Sequence, residues 1–290
     1  MFCGKGGVGK TTCAAATALH YAIAGETTLI LSTDPTPSLH DVFEVDMVAK
    51  PTKVVDNLHM NEIGSDEVKK MWDEKFGAEI YEVFSAFVDI SYNDFIDFTA
   101  SILPGIRDEF MVDYIRELHE SGGYDRIVWD TAPAGQTLGL LRMPSIVSEH
   151  LKPAPRIYAS LKAGGRGRQS IREIIKGWEE LSVKDIEFLR KEVEFNMVTI
   201  AEALAVRQLD SIYTELKGYG LTIDRLIINQ VIDEPDSDFL RRRAEMQQNY
   251  ISELGKNYDG IRHILPMFSL EVKGVARLEQ VAHALFNIQS

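Results

Sequence analysis

Cysteine is almost absent from this chain: Cys3 and Cys13 are the only two among 290 residues. Two thiols cannot frame a disulfide scaffold, and their spacing is not that of a Cys-x-x-Cys metal pair. Both flank one glycine-rich segment and read as small buried apolar side chains. Long apolar runs are missing as well; none approaches the roughly 20 residues that cross a bilayer, and no signal-peptide pattern precedes the first glycines. A cytoplasmic protein is expected. Positive charge is in deficit, with 31 Lys and Arg against 44 Asp and Glu and a net charge of −13. That balance excludes nucleic acid as the main partner, because neutralising a phosphate backbone needs a basic face. No internal repeat is visible. What remains is an ordinary globular composition, 45% hydrophobic, long enough for one large α/β domain or a core plus a lid.

Near the N-terminus stands Gly4-Lys5-Gly6-Gly7-Val8-Gly9-Lys10-Thr11-Thr12. It fits the phosphate-loop pattern of a glycine, four residues, then Gly-Lys-Thr. Glycines let successive backbone N–H groups turn inward around phosphate oxygens, and the positive end of the next helix points to the same place. Lys10 is expected against the β- and γ-phosphates and the Thr11 hydroxyl on Mg²⁺. A helix-forming run, Cys13 to Ala24, follows directly, so a plain glycine turn is the weaker reading. Lys5 adds a second lysine where an ordinary loop tolerates almost anything. The octet resembles that of a family of dimeric ATPases in which the early lysine reaches the partner's phosphates. That resemblance implies ATP held between two subunits, with Lys5 neutralising charge on the transferred phosphoryl group.

Beyond the loop, strands and helices alternate, the signature of a parallel sheet covered on both faces. Strands are predicted at Thr27–Ser32, around Leu58–Met60, and at Tyr124–Asp130, Phe195–Ile200, Arg225–Val231 and Arg262–Leu265. Only Met1-Phe2-Cys3 precede the first glycine, which makes the first strand very short. Two long helical stretches, about 66–121 and 138–193, interrupt the alternation. The reading is therefore a single P-loop ATPase domain over 1–290, a mostly parallel, doubly wound sheet with a helical subdomain inserted at the C-terminal ends of its strands. The first stretch is rich in aromatics, from Trp72 to Phe98, and a packed helical core is the simplest account of them. The second carries a basic patch, Lys152 to Lys176, around Gly164-Gly165-Arg166-Gly167. A solvated loop is the preferred reading, and a dock for an acidic partner or anionic membrane the alternative.

Three more segments fall where a nucleotide switch needs them. Asp34, in Ser32-Thr33-Asp34-Pro35, ends the second strand and can orient an attacking water. Asp130, in Asp130-Thr131-Ala132-Pro133-Ala134-Gly135-Gln136-Thr137, is delivered by a hydrophobic strand to the metal's outer shell, through water. Asn229 ends another strand with both a donor and an acceptor, which suits an adenine edge.

Together these segments resemble the arsenite-transport and tail-anchored-protein-targeting ATPase family. The likeness extends to Leu103-Pro104-Gly105-Ile106, Ala201-Glu202, and Pro266 with Glu271-Val272-Lys273-Gly274, and so covers nearly the whole chain. It implies Asp34 as the water-orienting residue, Glu202 at the ribose, and Asn229 with the backbone near Pro266 and Met267 at adenine. ATP or ADP and Mg²⁺ are the implied ligands. The implied partners are a second copy of the chain when ATP is bound, a hydrophobic transmembrane-segment client and a membrane receptor. His40 and Gln136 are candidates to support the site, and for His40 a surface role is the equal alternative.

The chain also departs from the family. Pro37 and Gln136 stand where histidines are usual. The region around Ser237-Asp238-Phe239-Leu240 lacks the Cys-x-x-Cys pair that binds zinc across the dimer, so no zinc is expected. There is one half rather than two, without metalloid-binding thiols, which argues against arsenite-stimulated transport. No methionine lies between Met143 and Met197, whereas a groove for varied apolar helices favours methionine. A targeting factor for tail-anchored segments is the leading expectation. An ATPase switch for soluble partners is the alternative, and a partitioning or division-site ATPase comes last, because the tail Val275–Ser290 carries little positive charge.

Overall fold

Strands β1 Phe2–Gly4, β2 Thr28–Ser32, β3 Thr52–Val55, β4 Leu58–Glu62, β5 Arg126–Asp130, β6 Asn196–Ile200, β7 Arg225–Val231 and β8 Ile261–Pro266 form one sheet in the order β3-β4-β2-β5-β1-β6-β7-β8. The helices include α1 Lys10–Ile23, α2 Leu39–Phe43, α3 Ser65–Trp72, α4 Ala78–Ser85, α5 Pro104–Glu120, α6 Arg168–Lys191, α7 Ala203–Gly218, α8 Asp238–Asn257 and α9 Val275–Phe286, with a π-helical turn at Asp73–Gly77. The computed structural model describes residues 1–34, 38–46, 50–85, 90–96, 104–131, 168–258 and 260–286. Pro37, the segment Ala132–Thr137 with Gln136, and the basic residues Lys152 to Arg166 lie outside the described residues. The chain divides into two compact units, Met1–Gly64 with Ser121–Leu138 and Val193–Ser290, and Ser65–Glu120 with Gly139–Glu192.

In the first unit every neighbouring strand pair is parallel except β3–β4. The two faces of the sheet follow from alternation along each strand. Ile30, Val128, Val198 and Ile227 share a core with Leu58, Met60 and the apolar sides of α1 and α9. Their neighbours Leu29, Leu31, Trp129, Met197, Leu226 and Ile228 are also buried, as expected of strands covered on both faces. In α1, Cys13, Ala14, Ala15, Ala16 and Ala18 are completely buried; side chains this small let a helix axis come close to the sheet and to α9. In α9, Leu278, Val281, Ala282 and Leu285 repeat at helical spacing and are buried, so this tail is core.

The predicted strands appear within a residue or two of their expected ends. β3 was not among them. It pairs antiparallel with β4 at the sheet edge and is only half-buried, so its apolar pattern is weak. The turn signal lay in Asn57, which adopts φ 60°, a left-handed conformation that asparagine tolerates in tight turns.

The second unit is helical in its described part. Trp72 and Phe95 are buried, Tyr81 lies 5.1 Å from Tyr92 and 5.4 Å from Phe95 by ring centroids, and Phe76 meets Phe110 edge-on at 6.2 Å. These aromatics form packing within the unit. Beside them, Arg116 of α5 binds Asp113 and Glu120 on its own helix and Asp185 of α6, its Nε standing 2.8 Å from Asp185. Lys75 binds Asp113 and Glu117. Of the basic patch, Lys176 is exposed and lies 3.5 Å from Glu180.

The chain leaves the sheet for the helical unit after β4 and again after β5. β1, β2, β4 and β5 end on one side of the sheet, at Gly4, Ser32, Glu62 and Asp130, and open α/β sheets bind their ligands at that side.

Candidate active site

β1 ends in the middle of the sheet, paired with β5 on one side and β6 on the other. The loop that follows closes at Gly9, which caps α1 with φ 94°. A side chain there would be strained and would also run into the Asn229 amide; one at Gly4 would strike the Val198 carbonyl of β6. These two glycines let the backbone curl tightly against its neighbours. Gly6 and Gly7 are exposed, Lys5 and Thr12 are half-buried, and the Val8 side chain is buried as the loop's apolar anchor. α1 has no side-chain cap, so the first amides of the helix are left for an anion.

Lys10 is 6% exposed, and its Nζ donates to the Lys5 carbonyl at 3.2 Å. Burial lowers its pKa, and the Asp130 and Asp34 carboxylates act in the opposite sense. Charge on this lysine is therefore costly until an anion joins it.

Asp130 is the centre of a hydrogen-bonded group. Its Oδ2 accepts from the Thr11 hydroxyl at 3.0 Å and from the Ser32 hydroxyl at 3.3 Å. The Ser32 oxygen in turn accepts from the Asp34 N–H at 3.3 Å. Asp130 Oδ1 is buried and makes no hydrogen bond. Burial pushes the carboxyl up to about 6, against the bonds from Thr11 and Ser32 and the charge of Lys10. A carboxylate with one oxygen free beside a threonine hydroxyl suits the outer shell of a hydrated divalent cation. Neighbouring bonds fix the group: Thr33 N–H donates to the Asp130 carbonyl at 3.1 Å, Trp129 Nε1 donates to Thr33 Oγ1 at 3.0 Å, and Thr131 Oγ1 donates to the Phe2 carbonyl at 2.7 Å. Thus Lys10, Thr11, Asp34 and Asp130, singled out in the sequence, converge on one place.

The residues expected around the base are held differently. Asn229 Nδ2 donates to the Val8 carbonyl at 2.9 Å and its Oδ1 accepts from Gln230 N–H, so the amide fastens the phosphate loop to β7. Gln247, which the sequence did not single out, braces the same strand end: its Nε2 donates to the Gln230 carbonyl and its Oε1 accepts from Ile232 N–H, both at 2.9 Å. Pro266 pairs with Val231, and Met267 N–H donates to the Val231 carbonyl while its side chain is exposed. Glu202 stands at the N-cap position of α7 without a side-chain capping bond and pairs with Arg243 at 2.6 Å.

Ser32 and Glu62 were also missed. Ser32 stands in register with Asp130, but a serine ending a strand carries no signal of its own. Glu62 is buried and binds His40, Nδ1 to Oε2, at 2.8 Å, which gives His40 a partner inside the fold. Burial pushes the Cys3 thiol up to about 11 and the Cys13 thiol up to about 12. Among the described residues, no group of three or more His, Cys, Asp or Glu side chains could hold a metal ion, and no helix is long and apolar enough to cross a membrane.

A mostly parallel sheet that feeds a glycine loop, a buried lysine and a Thr–Asp pair at its centre defines a P-loop nucleoside triphosphatase. The chain belongs to the anion-transporting ATPase family, whose model matches residues 1–287, and it is an ATP hydrolase. An Aquifex aeolicus protein named "Putative arsenical pump-driving ATPase 2" is 30% identical over 98% of both chains. "ATPase GET3C" of Arabidopsis thaliana is 28% identical over 95% of this chain and 79% of its own length. "ATPase ASNA1 homolog 1" of Paramecium tetraurelia is 27% identical over 99% of this chain and 92% of its own length.

Proposed function

We propose that the chain is a Mg²⁺-dependent, nucleotide-gated homodimeric switch that captures hydrophobic, tail-anchored membrane segments and releases them on ATP hydrolysis. The observation that carries the switch is the unbroken path Thr11–Asp130–Ser32–Asp34. A change at the γ-phosphate end of the loop reaches the segment after β2 through three hydrogen bonds.

In this reading the loop amides of Gly4 to Thr12 and Lys10 hold the phosphates, and Thr11 and Asp130 hold Mg²⁺, the latter through water. The cation, when bound, offsets phosphate charge and orients the β- and γ-oxygens. Asp34 orients the attacking water. Lys5 acts across the dimer interface on the partner's nucleotide. Asn229 holds the loop against the base side, where Pro266 and Met267 supply backbone, and Glu202 serves the ribose. The helical unit is the client-handling subdomain of a single ATPase domain. Similarity to ATPase GET3C over 95% of this chain supports the client. The burial of Trp72 and Phe95 favours the second reading, a switch for soluble partners, because those rings offer no apolar groove.

Asp34→Asn tests the chemistry. It is expected to bind ATP within about twofold of the parent while turnover falls by about 100-fold or more. Hydrolysis at the parent rate would remove Asp34 from the mechanism.

A further inference from the structure

Glu62 ends β4 directly opposite Ser32 of β2 and is 2% exposed. A buried carboxylate needs strong partners, and its partners lie on the segment that follows Asp34. Oε1 accepts from Leu39 N–H at 2.7 Å and from His40 N–H at 3.4 Å. Oε2 meets His40 Nδ1 at 2.8 Å. Leu39, one of those anchored residues, is itself fully buried in the core beneath α1. The two strand ends are tied in turn, because Ile63 N–H donates to the Ser32 carbonyl at 3.0 Å. Asp34 is therefore held at its amide by Ser32 Oγ, and the start of α2 is held by Glu62. The far end of α2 is held too, where Gly274 N–H donates to the Val42 carbonyl at 2.9 Å. Nothing in the described residues places Glu62 itself against the phosphate loop.

We propose that Glu62 is a positioning residue for ATP hydrolysis: its carboxylate fixes the start of α2 through Leu39, His40 and the His40 ring, and so sets where Asp34 stands relative to Lys10 and Asp130. This rests on the reading of Asp34 as the water-orienting residue. Glu62 acts through α2 and touches no reacting atom, so its loss displaces Asp34 and leaves the phosphate cradle as it is. Displacing a catalytic group by an ångström slows chemistry far more than it weakens binding.

The test compares E62A, E62Q, H40A and D34N in the full chain by steady-state hydrolysis and by equilibrium ATP binding. Gln keeps an oxygen for the two backbone amides, whereas Ala removes it. E62A is expected to lose kcat by about tenfold or more with KM and Kd for ATP within about twofold, E62Q to return to within about threefold of the parent, and H40A to lie between them. Tryptophan emission, blanked with Trp129→Phe, gives a second readout, since Trp129 is bonded to Thr33 beside Asp34. E62A shifts this signal and E62Q restores it. A folded E62A with parent kcat, a loss that lies wholly in KM, or a loss that E62Q does not repair overturns the proposal. Should E62A fail to fold, H40A decides: reduced kcat at unchanged KM supports the role, and parent kcat overturns it. D34N separates the two claims. If D34N turns over normally, the Asp34 reading falls; if D34N is inactive while E62A hydrolyses normally, only the role of Glu62 falls.

Discussion

At the scale of single residues, the phosphate loop owes its shape to a contact that joins distant parts of the chain. Asn229 Nδ2 meets the Val8 carbonyl across a separation of 221 residues, and Gly9 leaves just enough room for that amide. Asn229→Ala strips the partner from a loop carbonyl, a cost of about 1–3 kcal/mol. It is expected to weaken ATP binding by about tenfold or more, measured by calorimetric titration. Gly9→Ala combines a φ of 94° with a clash at Asn229, and ATP binding is expected to be lost in the same assay while the purified protein remains folded by circular dichroism. An unchanged Kd in either variant would show that the loop is held by other means. The loop and the two strand-ending aspartates were legible in the sequence because their chemistry sits in contiguous residues with fixed spacing. Ser32, Glu62 and Gln247 were not legible. Each is an ordinary polar residue whose role arises from a partner that the sheet brings alongside: Ser32 meets Asp130 across 98 residues. For Asn229 the position was readable, but the group to which its amide bonds was not.

At the scale of elements, apolar runs and turn residues located seven of the eight strands, and the edge strand β3 escaped because half-burial leaves its pattern faint. Helix α9 was legible from the spacing of Leu278, Val281 and Leu285. The packing of α5 on α6 was not, since its key contacts are charged. Arg116 draws in Asp113, Glu120 and Asp185, and Asp185 keeps one buried oxygen without a hydrogen bond. Burial, reinforced by the Asp113 charge and opposed by Arg116 and Lys75, pushes the Asp185 carboxyl up to about 7. The folded protein thus holds a proton that the unfolded chain gives up near the ordinary carboxylate range. The stability associated with that proton is complete below about 4 and is lost as pH rises through about 7. Asp185→Asn, which cannot ionise, is expected to gain in melting temperature relative to the parent as pH rises from 5 to 7, with the difference level above 8. A difference that is constant with pH would contradict the assignment.

At the scale of the whole molecule, the proposed homodimer would bring two chains of net charge −13 together around another anion, and a loop lysine from each copy would meet that need. Lys5→Ala is expected to bind ATP and remain a monomer by light scattering, while the Asp34→Asn chain with ATP is a dimer. An ATP-dependent dimer of Lys5→Ala would remove the cross-interface role. The family and its ATPase activity were legible at this scale because the loop, the strand-end aspartates and the other matching motifs are spread along nearly the whole chain. The identity of a client was not legible, since recognising an apolar segment depends on a surface rather than on a motif. In the proposed function, ATP gates capture of such a segment. Its most direct test is co-purification of the Asp34→Asn protein, held with ATP, with a co-expressed protein that bears a C-terminal transmembrane segment, against the same protein with that segment deleted. Retention that requires both ATP and the segment is expected. An ATP-bound dimer that retains neither form, or both alike, would contradict it and favour a switch that acts on soluble partners.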